Sequence, residues 1–140
     1  MATFTSQIYE ILTLNGDNVG SSVTQTINNV NYVDNRILSI PSGSVTTLFS
    51  MDSVPGAGTF VTSSIQYIRI TNNSPVASVK LILSSSTEAM SYLVATGSLY
   101  MVSTSKMTGS TSGLSFDDIK SVKAEPSGSS ASIEYYIVTT

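Results

Sequence analysis

The chain has no His and no Cys, so its 140 residues offer only hydroxyls, carboxylates, amides, four lysines and two arginines for chemistry. Without imidazole or thiol there is no Ser-His-Asp or Cys-His nucleophile, no histidine general base, and no His or Cys metal ligand. Lysine can in principle activate a serine, and Ser103-Thr104-Ser105-Lys106 matches a Ser-x-x-Lys frame. In a chain this rich in serine the match arises by chance, and no supporting motif accompanies it. Asp117 and Asp118 are adjacent, so they point in different directions and do not form an acid/base pair across a substrate. Ser115-Phe116-Asp117-Asp118 reads instead as the cap of one helical turn.

Asn15, Asp17 and Asn18, with the Asp117-Asp118 pair, supply oxygens of the kind calcium prefers, but no spaced ligand loop closes with a Glu. Pro55-Gly56-Ala57-Gly58 and the glycines between Gly109 and Gly113 lack the Lys and following helix of a phosphate cradle. Neither a resident metal nor a cofactor is expected. Tyr67, Tyr92, Tyr100, Tyr135 and Tyr136 suggest a stacking platform for sugars or bases. At strand spacing, tyrosines serve more commonly as core or interface residues. Asn72-Asn73-Ser74 matches a glycosylation acceptor, yet Pro75 follows, and a turn is the preferred reading.

These residues must be positioned by strands. Charged residues are only 11% of the chain and the net charge is −3, which provides no basic footprint for nucleic acid or anionic lipid. Ser and Thr number 27 and 17, close to a third of the chain, while 41% of residues are apolar. The isoleucines, valines and tyrosines fall in strand-like runs, so a folded β protein is expected in place of a disordered one. A surface of hydroxyls instead of charges is common inside assemblies. Met1 to Ser6 shows neither a basic start nor an apolar core, so no signal peptide is expected, and synthesis is placed in a cytoplasm. No window approaches the ~20 apolar residues of a membrane span.

The clearest fold signal is Ile65 to Thr104. It reads as strands over Ile65–Thr71, Ala77–Ser84, Ala89–Ala95 and Ser98–Ser103, with turns at Asn72–Pro75 and at Thr96-Gly97. Ile68 and Ile70 share one side, as do Val79, Leu81 and Leu83, the period-two pattern of half-buried strands. Upstream, Ile8, Ile11 and Leu12 fit a helical face, whereas Glu10, Leu12 and Leu14 alternate as in a strand. Asn15-Gly16 favours a tight hairpin turn into Val23–Ile27. Asn28 to Asn35 suits an irregular loop or an edge strand. Arg36–Ile40 is a short strand, and Val45–Met51 a longer one with Val45, Thr47, Phe49 and Met51 on one side. Lys106 to Ser115 reads as a surface loop and Ile119 to Glu125 as a strand. On a final strand, Ala131 to Thr139, Ile133, Tyr135 and Ile137 face inward. The reading is all-β: an antiparallel β-sandwich or jelly-roll-like single domain over 1–140 with roughly eight to ten strands. Residues 1–40 form an arm or edge hairpin.

The runs Val45-Thr46-Thr47-Leu48-Phe49, Pro55-Gly56-Ala57-Gly58, Tyr67-Ile68-Arg69-Ile70-Thr71-Asn72, Val79-Lys80-Leu81-Ile82-Leu83, Ile119 to Ala124 and Ile133-Glu134-Tyr135-Tyr136 carry a resemblance. Over most of residues 44 to 139 the chain resembles small virion structural proteins of tailed bacteriophages, particularly capsid decoration (cement) proteins. The resemblance implies a non-enzymatic β-sandwich or jelly-roll module, a homo-oligomer and most commonly a trimer, seated on the capsid surface. The major capsid protein would be its partner, with neither nucleic acid nor membrane involved. Arg69, Lys80, Arg36 and Tyr9 are the candidate contact residues, with the loop Ser84 to Glu88 beside them. The alternative is a tail-fibre or receptor-binding module that touches host glycans through the polar loops at Asn28–Asn35 and Lys106–Ser115, or another head-tail accessory protein.

Overall fold

The computed structural model describes residues 1–61, 64–103 and 119–140, and the backbone of residues 110–111 and 114–115. Two sheets carry the core. The strands of the sandwich are β5 (Tyr32–Ile40), β6 (Thr46–Asp52), β7 (Thr59–Val61), β8 (Ile65–Asn72), β9 (Val79–Ser84), β10 (Ala89–Val94), β11 (Leu99–Val102), β14 (Ser121–Pro126) and β15 (Ala131–Thr139). Ahead of them come β1 (Ala2–Tyr9), β2 (Thr13–Leu14), β3 (Asp17–Asn18) and β4 (Ser22–Val30). A two-residue pair, β12 (Ser110–Thr111) and β13 (Leu114–Ser115), lies between β11 and β14.

One sheet runs β10-β9-β14-β6-β7 and the other β11-β8-β15-β5. The partners nest: β9 with β10 inside β8 with β11, and β6 with β14 inside β5 with β15. Outside the β9-β10 hairpin and the β6-β7 pair, strands consecutive in the sandwich, such as β8 and β9, therefore sit in opposite sheets, and the connection between them crosses the sandwich. This is the wrapping of a jelly roll, which confines sheet edges to the ends of two short sheets. β7 adds to it by pairing parallel to β6, after the Pro55–Gly58 connection folds back and the Ser50 amide donates to the Gly58 carbonyl at 2.9 Å.

Alternation builds the interior. Ile68 and Ile70 on β8, Val79, Leu81 and Leu83 on β9, and Ile133, Tyr135 and Ile137 on β15 all turn into one continuous core. The inward set expected on the sixth strand needs correction. Phe49 and Met51 are buried, but Thr47 and Val45 are exposed, and Leu48 is buried in their place. The cause is a bulge: Val122 pairs with Phe49 and its neighbour Lys123 with Thr47, leaving Leu48 as an extra residue that reverses the faces upstream. Tyr32–Asn35, which composition leaves open between loop and edge strand, joins β5 because β15 supplies a backbone partner along its whole length.

Candidate functional site

The N-terminal thirty residues form a β-ribbon. Thr3 to Tyr9 pair with Ser22 to Asn28 in one register, and the same register resumes at Thr13↔Asn18 and Leu14↔Asp17. Between these blocks the Glu10 amide donates to the Ser21 carbonyl and the Val19 amide to the Leu12 carbonyl, both at 2.8 Å, so pairing is not lost. Asn15 (φ 53°) and Gly16 (φ 91°) close the tip, the left-handed pair that a two-residue hairpin turn requires. Gly20 is needed for a different reason: a Cβ there would lie 1.8 Å from the Glu10 carbonyl oxygen across the ribbon. The segment that fits either a helix or a strand by periodicity is a strand, because this turn brings it an antiparallel partner.

Side chains alternate across a ribbon, and cross-strand partners share a face. One face holds Thr3, Thr5, Gln7 and Tyr9 with Asn28, Thr26, Thr24 and Ser22, tied by Gln7 Nε2 donating to Thr24 Oγ1 at 3.2 Å and Tyr9 OH donating to Gln7 Oε1 at 3.1 Å. The other face carries the pairs Phe4/Ile27, Ile8/Val23 and, by continued register, Leu12/Val19. At its base this apolar face lies on the outside of the β11-β8-β15-β5 sheet. There Phe4 stacks on Tyr136 at 5.6 Å and on Tyr67 at 5.0 Å, and Ile27 is buried with Val138. Further out it has no cover: Leu12 and Leu14 are each 57% exposed and Val23 60%. The ribbon is an amphipathic arm, rooted on one sheet and bare toward its tip.

The candidate contact residues fall in four separate places. Tyr9 is exposed on the arm. Arg69 does lie on the face opposite Ile68 and Ile70, but it is engaged within the chain: Nη2 donates to Glu134 Oε1 at 2.6 Å and the guanidinium sits 5.8 Å from the Tyr136 ring centre. Lys80 pairs with Glu125 across the outer face of the five-stranded sheet at 3.2 Å. Arg36 donates through Nε to Asp34 Oδ1 at 3.0 Å on edge strand β5. The loop at Ser85 to Glu88 is a tight turn closed by the Ser85 hydroxyl, which accepts from the Glu88 amide at 2.8 Å.

Beside Arg36, an open crevice of about 430 Å³ runs between β5 and β7, past Tyr32 and Phe60. Asp34 is buried at its wall and accepts from the Tyr135 hydroxyl at 3.0 Å. Burial, and then this bond to Asp34, push the Tyr135 phenol up to about 12 from 10.0. The folded state thus holds a proton that the unfolded chain gives up near pH 10. The resulting stabilisation is complete below that pH and is lost as pH rises through about 12. Melting temperatures followed up an alkaline series should fall across this window in the wild type and fall less in Tyr135→Phe.

Lys106, Asp117 and Asp118 lie outside the described residues, as do most of the Lys106–Ser115 loop and the expected cap at Ser115–Asp118. Asn15, Asp17 and Asn18 sit at the arm tip, where Asn18 Oδ1 accepts from the Gly20 amide at 2.9 Å. Among the described residues no three His, Cys, Asp or Glu side chains converge, and no helix is long and apolar enough to cross a membrane. Of the tyrosines, Tyr135 is core, Tyr67 and Tyr136 are roofed by the arm base, and Tyr92 and Tyr100 stack at 5.1 Å where the two sheets meet at an edge. Asn72 of the acceptor-like triplet is fully buried. Of the arm or edge hairpin expected over residues 1–40, Tyr32–Ile40 is instead a strand of the sandwich, and what residue-by-residue reading misses is how much of the arm's apolar face stays bare. The signal for it is the apolar alternation on both sides of Asn15-Gly16, which looks the same whether a strand faces a core or a partner. Compared with known proteins, the chain matches no family model, no curated protein and no solved structure, so its function is argued from the arm and the sheets themselves.

Proposed function

We propose that this chain is a non-enzymatic structural protein of a tailed-phage virion, bound to the outer surface of the capsid as a decoration (cement) protein. The observation that carries the reading is the arm, which takes large apolar side chains away from the body on a paired ribbon. Each such side chain gains roughly 1.5–3 kcal/mol on full burial, so leaving several in water is a strong drive toward another protein surface. Ser and Thr make up close to a third of the chain and only 11% of it is charged, so few charges need desolvating on contact. Clamped between neighbouring capsomers, such a module adds buried area that resists the pressure of packaged DNA. Jelly rolls occur both in viral coats and in lectins, so the topology alone does not choose a role, and it is the arm that supports the reading as a clamp.

The test is direct. Mixed with expanded, undecorated capsids, the purified protein should co-sediment to saturation and raise the temperature at which the shells disrupt. Shells that stay bare at high micromolar protein would overturn the reading. A receptor-binding role is the second reading, and the crevice beside Tyr32 and Arg36 favours it, since an aromatic ring and a guanidinium suit a sugar with an acidic group. Binding to whole host cells or to a glycan array, without capsid binding, would select that alternative.

A further inference from the structure

We propose that the arm's apolar face is covered by a second copy of this chain, lying across the outer face of that copy's five-stranded sheet. This rests on the reading of the protein as an assembly component and names the partner its arm takes.

Three observations converge on that surface. The first is continuity. The arm face that is bare at Leu12 and Val19 is the same face that at Phe4 and Ile27 already packs on a sheet exterior of this chain. It is thus suited to rest on pleated sheet of this composition. The second is charge. Residues 1–30 contain Glu10 and Asp17 but no Lys or Arg. Lys80 and Lys123 lie on the outer face of the five-stranded sheet, where Lys123 makes no ion pair with a described residue. The third is the fit of size and pattern. On that face the rows Leu93–Lys80–Glu125 and Ser91–Ile82–Lys123 set the apolar Leu93 and Ile82 beside charged groups, and Leu93 is 72% exposed. The free part of the arm, Tyr9 to Leu14, spans about 20 Å, and four strands side by side also span about 20 Å.

An arm cannot reach this face on its own molecule as it stands. Its base is fixed to the other sheet, on the far side of a core about 10 Å thick. The contact is therefore made between copies. The contact is made either reciprocally, two copies trading arms about a two-fold axis, or head to tail, closing into a ring where the rotation permits. A standard interface buries about 800 Å² per partner, and the arm's apolar residues with the Ile82–Leu93 seat supply its centre.

The native chain has no cysteine, which makes the test specific. In the full chain, Leu12→Cys combined with Leu93→Cys should give disulfide-linked multimers under mild oxidation, reversed by reductant. Leu12→Cys combined with Ile37→Cys, exposed on the other sheet, should link no faster than either single variant. Glu10→Lys and Lys123→Glu should each weaken self-association about tenfold by light scattering, and the double reversal should restore it. A wild-type protein that stays monomeric at high micromolar concentration, or equal linking through Leu12→Cys and Ile37→Cys, overturns the proposal. Bare capsids separate the two readings. A monomer that still decorates them sinks the arm exchange and leaves the decoration role, and an assembled oligomer that ignores them does the reverse.

Discussion

Leu81→Asp should leave the chain unfolded at 25 °C, with the far-ultraviolet β signature and the dispersion of amide proton signals both lost. Leu81 has no exposed surface, sits on β9 between β10 and β14, and faces the interior with Val79 and Leu83. A carboxylate there finds no cation and no donor array, because its cross-strand partners are Tyr92 and Ala124. Burying it unpaired costs several kcal/mol, and losing the leucine packing removes about 2–5 more. A whole domain of this size holds only about 5–15 kcal/mol, so the sum approaches or exceeds it. Ser91→Asp places the same charge on the solvent side of the neighbouring strand and should shift the melting temperature by a few degrees at most. Cooperative melting of Leu81→Asp near the wild-type temperature would refute the assignment of faces in the core.

That prediction can be made from the sequence alone, and it marks which features a sequence displays. Val79, Leu81 and Leu83 alternate with Lys80, Ile82 and Ser84 because water lies on one side of β9 and core on the other, and Ile133, Tyr135 and Ile137 alternate likewise, although the arm base covers Tyr136 and Val138 on the far side. Chain reversals are equally visible where a backbone conformation demands a residue, as at Asn15-Gly16 and at Gly97 (φ 67°). Pairing is not visible in this way. Nothing local says that β8 takes β11 and β15 as neighbours while β9 takes β10 and β14, since that choice is made by contacts between segments distant in sequence. The bulge at Leu48 escapes for the same reason: it exists only relative to β14. Arg69, Arg36 and Lys80 are recognisable as lying off the core, but their partners Glu134, Asp34 and Glu125 are set by cross-strand register or local geometry. As for the arm, alternation shows that one face must be covered and does not show by what.

Asn72→Leu should lower stability by about 3 kcal/mol or more, a fall of roughly 10 °C in melting temperature, although leucine keeps the same branched heavy-atom skeleton. Asn72 ends β8 with no exposed surface, at the corner where the chain crosses between sheets. Its Nδ2 reaches the carbonyls of Ala77 at 2.8 Å, Ala95 at 3.1 Å and Val94 at 3.2 Å, and its Oδ1 accepts from the Ser74 amide at 3.0 Å. One side chain thus ties the entry to β9 to the exit from β10, while its own backbone bonds Gly97 and Ser98 on the return to β11. Leucine removes both donor and acceptor and leaves buried carbonyls without partners, a penalty that better packing does not offset. Asn72→Asp separates polarity from donation. An ionised carboxylate facing three carbonyls is repelled, so its folded-state pKa must rise above the unfolded value near 3.9, and the variant must gain stability relative to wild type as pH falls. An Asn72→Asp protein equally destabilised at pH 4 and pH 7, or an Asn72→Leu protein melting with the wild type, would show that the crossing is held by backbone bonds alone; the geometry at Asn72 requires the opposite, because its amide, at the end of β8, donates to carbonyls at both the entry to β9 and the exit from β10.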